Sequence, residues 1–501
     1  MSERKVLHYA QIVCACIWCL LASGIIFGFA ALKPVLVQEG VYSEYCQGTS
    51  TQSELELCEA QDMKLNSMFT ISAGVTNVMA LPVGWILDTK GPRVCGIIGS
   101  AVLFVGAFMF TIASSLRSVI DPYLCGYIML AIGGPFVFIS CFQLANCFPG
   151  KSGTILALLT GSFDTSSALF LLYRIIYQKG DGSMTLAKFF SVYLLIPCFI
   201  LGCQLTIMPR ESYKTLGTVA KLATEELDEN GEVIRDPQEA AAIPADEPST
   251  ELENVDGLPL LGRRKSALEV TAEERLKDSS GGVFGVLHGN TVKEQLMSPW
   301  FYLMLLFAAI IMVRTNYFIA TIRTQEEFLL GDKDQSVKMN HIFDILLPIG
   351  GVFAIPFIGM ILDSMTTVNV IAFLTALTVS IGYLGVIRES FILNLLGIVL
   401  FVLCRPFYYT VVSDYCSKVF GFVTFGTVYG VLTCTCGIVS LTQSFLDMVT
   451  HEWEDMDPRP VNYFLVNTTL VIGISLWVYV KRHIKNISSS EEIERSDAVN
   501  A

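Results

Sequence analysis

Charge is what this chain of 501 residues has least of: Asp, Glu, Lys and Arg make up 16% of it, against about 25% in an ordinary soluble domain. That shortage excludes a typical soluble enzyme. Basic residues are the scarcer sign, 33 against 46 acidic ones, and the formal charge of −13 excludes a basic nucleic-acid binder. Histidine is rarer still. The five, at positions 8, 288, 341, 451 and 483, fall at the edges of apolar runs or in polar loops and show no metal-ligand spacing. No Gly-rich phosphate loop with a following Lys occurs. The chain is therefore expected to be no enzyme and to need no metal or cofactor.

What is plentiful is apolar sequence, 52% of residues, gathered into runs long enough to cross a bilayer, which takes about 20 residues. Twelve such spans are expected: Ala10–Val37, Leu65–Leu87, Val94–Leu116, Pro122–Phe148, Thr154–Tyr177, Lys188–Met208, Pro299–Ile322, His341–Leu362, Thr367–Val386, Phe391–Val412, Phe420–Val449 and Val461–Val480. The first is too long for a signal peptide and reads as a retained helix. The acidity sits outside these runs. The segment 209–297 carries net −8 and the segment 38–64 net −5, so the rest is neutral.

The spans divide six and six around that acidic segment. The second half echoes the first: Gly84-Trp85-Ile86-Leu87-Asp88 ends the second span and Gly359-Met360-Ile361-Leu362-Asp363 ends the eighth. Gly134-Pro135-Phe136 in the fourth span likewise aligns with Arg405-Pro406-Phe407 in the tenth. Repeats of this kind build transporter folds. The expected architecture is an all-α membrane protein of twelve transmembrane helices in two pseudo-symmetric six-helix bundles. Its divisions are 1–208 and 298–482 for the bundles, 209–297 for an acidic linker too polar to fold alone, and 483–501 for a tail.

Lys and Arg near the span ends place both termini and the linker in the cytosol. Cys46 and Cys58 share the first loop on the opposite side, where a disulfide can persist; two free thiols are the alternative. In the linker, Arg263-Arg264-Lys265 precedes Ser266, a pattern for a basophilic kinase. Asp256-Gly257-Leu258-Pro259-Leu260-Leu261 has the form of an adaptor-read sorting signal. A plain solvated tether is the competing reading for both.

Ionisable groups inside spans are costly and mark functional positions. Asp164 lies in the fifth span, Arg314 in the seventh and Arg405 in the tenth. Asn316 and Tyr317 accompany Arg314, Tyr408 accompanies Arg405, and Gln143 and Asn146 form an i, i+3 pair in the fourth span. If these faces converge, they form a mid-membrane chamber. One Asp against two Arg favours a carboxylate-bearing solute, gripped by the guanidinium fork. A structural ion pair docking the two halves is the bland alternative. Pro135, Pro348, Pro356 and Pro406 are candidate bend points.

Gly84-x-x-x-Asp88-Thr89-Lys90-Gly91-Pro92-Arg93 resembles the loop signature of the major facilitator superfamily, matching at Gly84, Asp88, Gly91 and Arg93 and departing at Thr89 and Pro92. The resemblance implies that the aspartate, and Asp363 by repetition, meets a helix N-terminus of the other half and steadies one state of a rocking carrier. More narrowly, Ile26-Phe27-Gly28-Phe29, Gly133-Gly134-Pro135, Arg314-x-Asn316-Tyr317, Arg405 with Tyr408-Tyr409, and Phe425-Gly426-Thr427 resemble fungal relatives of solute carrier family forty-three, the system L type facilitators of large neutral amino acids. That resemblance implies facilitated amino-acid transport, without obligatory proton coupling, at an internal membrane such as the vacuole's, with the plasma membrane as alternative. The partners expected are lipid, a small solute, and kinase and sorting-adaptor contacts at the linker. A non-transporting nutrient receptor and a monocarboxylate transporter are the competing readings.

Overall fold

A backbone in hydrocarbon must satisfy its own N–H and C=O groups, so each apolar run becomes helix. The computed structural model describes residues 3–46, 59–148, 151–180, 182–210, 212–213, 276–277, 280–421, 423–452 and 456–500. Among the described residues, twelve helices are long and apolar enough to cross a membrane. We number them α1 (Val6–Ser23, continued by Ile25–Gln38), α2 (Ala60–Lys90), α3 (Pro92–Thr111), α4 (Pro122–Cys147), α5 (Ser152–Lys179), α6 (Leu186–Thr206), α7 (Pro299–Leu330), α8 (Lys333–Ser364), α9 (Thr367–Leu384), α10 (Phe391–Phe420), α11 (Phe425–His451) and α12 (Arg459–Lys485). Ser266 and the sorting pattern lie outside the described residues.

Local chemistry sets the helix ends. Asp121 and Ser298 accept hydrogen bonds from the N–H groups of Leu124 and Phe301, with Pro122 and Pro299 as the first helical residues. Gly331, at φ 64°, closes α7, and Asp332 caps α8 through the N–H groups of Asp334 and Gln335. These caps explain why α7 and α8 outrun the hydrophobic windows that locate them: the polar ends continue as helix past the apolar part. Tyr42, in the loop after α1, donates to Asp121 at 2.7 and 2.9 Å. Burial, and then the neighbouring carboxylate, push its phenol well above the usual range. Cys46, in the same loop, is disulfide-bonded; Cys58 lies outside the described residues.

The helix interruptions fall away from the prolines. α8 and α10 run unbroken through Pro348, Pro356 and Pro406. In the first bundle, α1 passes through a π-helical turn at Cys19–Ser23 and a 3-10 turn at Ile25–Gly28. α4 is α-helical to Ile139 and tightens to 3-10 over Phe142–Cys147, and α5 breaks between Thr165 and Ala168. Lipid faces the outside: Phe353, Phe357 and Met360 on α8 are 62–68% exposed.

The two six-helix bundles meet along two seams, α2 against α11 and α5 against α8. Glycine permits the close approach. A side chain on Gly84 would put its Cβ 1.8 Å from the carbonyl oxygen of Gly426, and one on Gly153 would stand 2.5 Å from Leu362 Cβ. The first seam is tightest at the face where α1 begins, here called the terminal face; the second stays as close at mid-helix, where a Cβ on Gly161 would stand 2.4 Å from Ile355.

Candidate substrate cavity and its latch

At the terminal face each seam ends in a carboxylate that caps a helix of the other bundle. Asp88, at the end of α2, accepts hydrogen bonds from the N–H groups of Gly426 (2.9 Å) and Thr427 (2.6 Å), the first turn of α11. Asp363, at the end of α8, accepts from Gly153 N–H (2.9 Å), Thr154 N–H (3.2 Å) and the Thr154 hydroxyl (2.5 Å), the first turn of α5. A helix N-terminus offers unpaired N–H groups and partial positive charge, so an aspartate there is bound twice over. Gly91, at φ 83°, makes the turn that ends α2. Arg93 beyond it donates to the carbonyl of Met208 and so ties α3 to the end of α6.

Deeper than these latches, towards the far face, the bundles part around a cavity of about 350 Å³. Its lining on α2 (Phe69 to Ala80) and α11 (Tyr429 to Gln443) lies beyond the Gly84–Gly426 contact, and the two helices stay close beside it at Gly430–Ala80 and Gly437–Asn77. Phe27, Phe138 and Phe163 give it an aromatic wall from the first bundle; Asn77, Thr160, Asn316 and Thr433 supply polar edges. Arg405 is the one charged side chain among the lining residues.

Arg405 belongs to α10 and its counter-charge to α5. Asp164 lies 3.5 Å from Arg405 Nη1, with the two side chains 2% and 10% exposed. Neither oxygen of Asp164 has a hydrogen-bond partner among the described residues, nor has Nε of Arg405. The guanidinium also lies over the ring of Tyr409, 5.9 Å from its centre, an arrangement that favours a cation. One turn earlier on α5, the hydroxyls of Thr160 and Thr410 meet at 2.5 Å across the same junction. An ion pair and a hydroxyl pair thus join the bundles beneath the cavity.

The residues singled out in the sequence are not all brought together. Arg405 and Asn316 line the cavity and Asp164 stands behind Arg405. Arg314 instead faces the interior of the second bundle, bordering two small voids. Tyr317 bonds Thr450 at 2.7 Å and Tyr408 donates to the carbonyl of Ala308 at 2.9 Å, both away from the cavity. Gln143 accepts from Tyr213 N–H at 2.6 Å and Asn146 donates to Tyr213 O at 2.9 Å, so the pair holds the chain beyond α6. The tightening of α4 past Ile139 turns these two side chains off the cavity face.

Other participants were hidden in the sequence. Thr160 and Tyr409 are uncharged and so do not stand out in their spans as Asp164 and Arg405 do. Gly153 and Thr154 carried no motif; the repeat that found Asp363 could have found them, since α5 must then mirror α11. Two buried carboxylates, Glu326 and Asp414, both 2% exposed, lie in helix that the hydrophobic windows cut off. Glu326 accepts from Asn394 at 3.0 Å and Asp414 pairs with Lys418 at 2.7 Å. The positive lean of the spans is therefore local to Arg314 and Arg405.

No protein-family model matches the chain. It is 56% identical to Protein FMP42 of Saccharomyces cerevisiae over 489 residues, 97% of either chain. It is also similar to the human large neutral amino acids transporter small subunit 3, 31% identical over 169 residues, covering 32% of this chain and 30% of that protein. To the equilibrative nucleobase transporter 1 of Bos taurus it is 28% identical over 205 residues, 40% and 41% of the two. Among solved structures, the proton:xylose symporter XylE superposes with a TM-score of 0.60 at 14% identity, covering 96% of this chain and 97% of that one. That likeness carries the fold.

Proposed function

From the chain's membership of the major facilitator superfamily, in one family with yeast Protein FMP42, we propose that this transporter carries large neutral amino acids by alternating access of its two bundles. The observation that carries the reading is the charge of the cavity: one guanidinium, Arg405, among aromatic and aliphatic walls, with its only nearby acid set behind it. An amino acid presents the complement, a carboxylate for the fork and an apolar side chain for the walls. A cationic side chain meets no unengaged carboxylate among the lining residues, which favours neutral over basic amino acids. A nucleobase can accept hydrogen bonds from Arg405 but brings no negative charge to balance it.

Binding and movement are linked through Asp164. The solute's carboxylate competes with Asp164 for Arg405, and that ion pair spans the junction of the bundles. A bound solute therefore loosens a contact that holds the sealed state, which is how differential binding moves a two-state equilibrium. Because Asp164 starts out engaged by Arg405, the facilitative mode needs no obligatory proton. Cys46 in a disulfide supports a far face outside the cytosol, and the resemblance to fungal carriers supports an internal, vacuolar membrane.

Counterflow of radiolabelled solutes into proteoliposomes tests the assignment. Leucine, phenylalanine or methionine is expected to exchange saturably, at equal rate with and without a protonophore, while arginine is not taken up. Uptake of nucleobases or simple monocarboxylates with no amino acid accepted would overturn the solute and leave the fold untouched.

A further inference from the structure

Behind Arg405, inside the second bundle, lies a separate void of about 20 Å³ between α7, α9 and α10. That is room for one water-sized particle. Its lining includes two arginines, Arg314 and Arg405, with Thr315, Thr378, Cys404 and Tyr408 and apolar neighbours. None of the three hydroxyls serves the guanidinium groups as a hydrogen-bond acceptor: Thr378 donates to Leu374 O at 2.8 Å, Tyr408 to Ala308 O, and no bond from an arginine to Thr315, Thr378 or Tyr408 occurs among the described residues. Arg314 has no hydrogen bond or ion pair to any described residue, and Nε of Arg405 is buried without a partner.

Charge makes the deficit sharper. Asp164 answers Arg405, and Arg314 is left without an ion-pair partner among the described residues. A second void, of about 30 Å³, runs from Arg314 towards Glu326 and Asn394. Glu326, however, is twelve residues along α7, a rise of roughly 18 Å, too far for contact. An uncompensated guanidinium within a span is expensive, and water can accept its hydrogen bonds without neutralising it.

We infer that the void between Arg314 and Arg405 is a binding site for a small monovalent anion of halide size, distinct from the solute cavity. The anion neutralises Arg314 and leaves Arg405, paired with Asp164, to answer to the solute. The void is too small for an amino acid or any organic carboxylate, so the site stands whether or not the solute assignment does.

The test is thermal unfolding of the purified full-length protein at constant ionic strength, in sodium chloride, sodium bromide or sodium gluconate. Chloride and bromide are expected to raise Tm saturably, by about 2–4 °C at 100-fold excess over Kd, and gluconate, too large to enter, is not. Arg314→Met is expected to abolish the halide response. Thr378→Leu, which fills the void but keeps both arginines, is expected to abolish it too, and covers the case in which the first variant fails to fold. Equal Tm in chloride and gluconate for the unaltered protein would mean a water in the void and overturn the inference. An undiminished halide response in either variant would place the anion elsewhere and overturn it equally.

Discussion

At Arg405 two demands meet in one side chain: it closes the junction of the bundles through Asp164 and it faces the cavity. Arg405→Ala is therefore expected to weaken solute binding by about 10- to 100-fold, the worth of a charge-assisted hydrogen bond, in protein that still reaches the membrane. Arg405→Lys keeps the charge but not the fork and should recover part of that loss. Unchanged half-saturation in both would refute the carboxylate clamp. Asp164→Asn should act in the opposite sense on affinity, since the solute then meets no charged competitor, while slowing the return of the empty carrier; counterflow and zero-trans uptake separate the two effects. Asp164, Arg405 and Asn316 were legible in the sequence because polarity in a hydrophobic span is conspicuous. Tyr317, Tyr408, Gln143 and Asn146 were equally conspicuous yet face elsewhere. Helical spacing gives neighbours on one helix, but only the packing of several helices decides which face looks inward.

The latches are a property of helix pairs. Asp88 and Asp363 each bind an N-terminal turn of the opposite bundle, and their symmetry follows from the repeated five-residue ending. Removing one carboxylate, as in Asp88→Asn, is expected to raise labelling of a terminal-face cysteine by a membrane-impermeant maleimide; the double variant with Asp363→Asn should raise it further. No change in the double variant would show that the seams alone hold the seal. Gly84→Val is expected to act more strongly than either, because its Cβ alone would collide with the Gly426 carbonyl. It should leave the terminal face permanently accessible and abolish counterflow. The sequence carried Asp88 through the loop signature, Asp363 through the repeat and Gly426 through the family likeness. It could not give the bent elements: the breaks in α1 and α5 lie at Gly24 and Ser166-Ser167, where Gly24 packs on Ser166 and Phe163 and Gly28 on Ser167. That is tertiary crowding, which hydropathy does not record.

For the whole molecule, closure at the terminal face brings Thr154 on α5 and Gly359 on α8 together, with a Cβ at Gly359 standing 3.2 Å from that of Thr154. Cysteines at both positions, Thr154→Cys with Gly359→Cys, lie close to disulfide distance. Oxidation is expected to stop transport and reduction to restore it. Full transport by the cross-linked protein would exclude rocking at this seam. The twelve-helix, two-bundle plan was readable from run length and repetition, because hydrocarbon permits so few backbone solutions.

The broken helices lie mostly in the first bundle; in the second, α11 is interrupted between Ser440 and Gln443. α1, α4 and α5 are interrupted in the first bundle, whereas α7, α8 and α10 of the second run as single rods of 30 to 32 residues. A rod transmits load along its length; an interrupted helix yields at the gap. The unbroken rods α7, α8 and α10 are then the lever and the broken helices the spring, and the spring's soft points, near Phe27, Phe163 and Leu441, are where the solute would sit. Amide exchange should show the asymmetry: solute would slow exchange around Gly24, Ser166 and Leu441 while leaving the middle of α8 and α10 unaltered, strain being absorbed at the breaks and movement delivered by the unbroken rods.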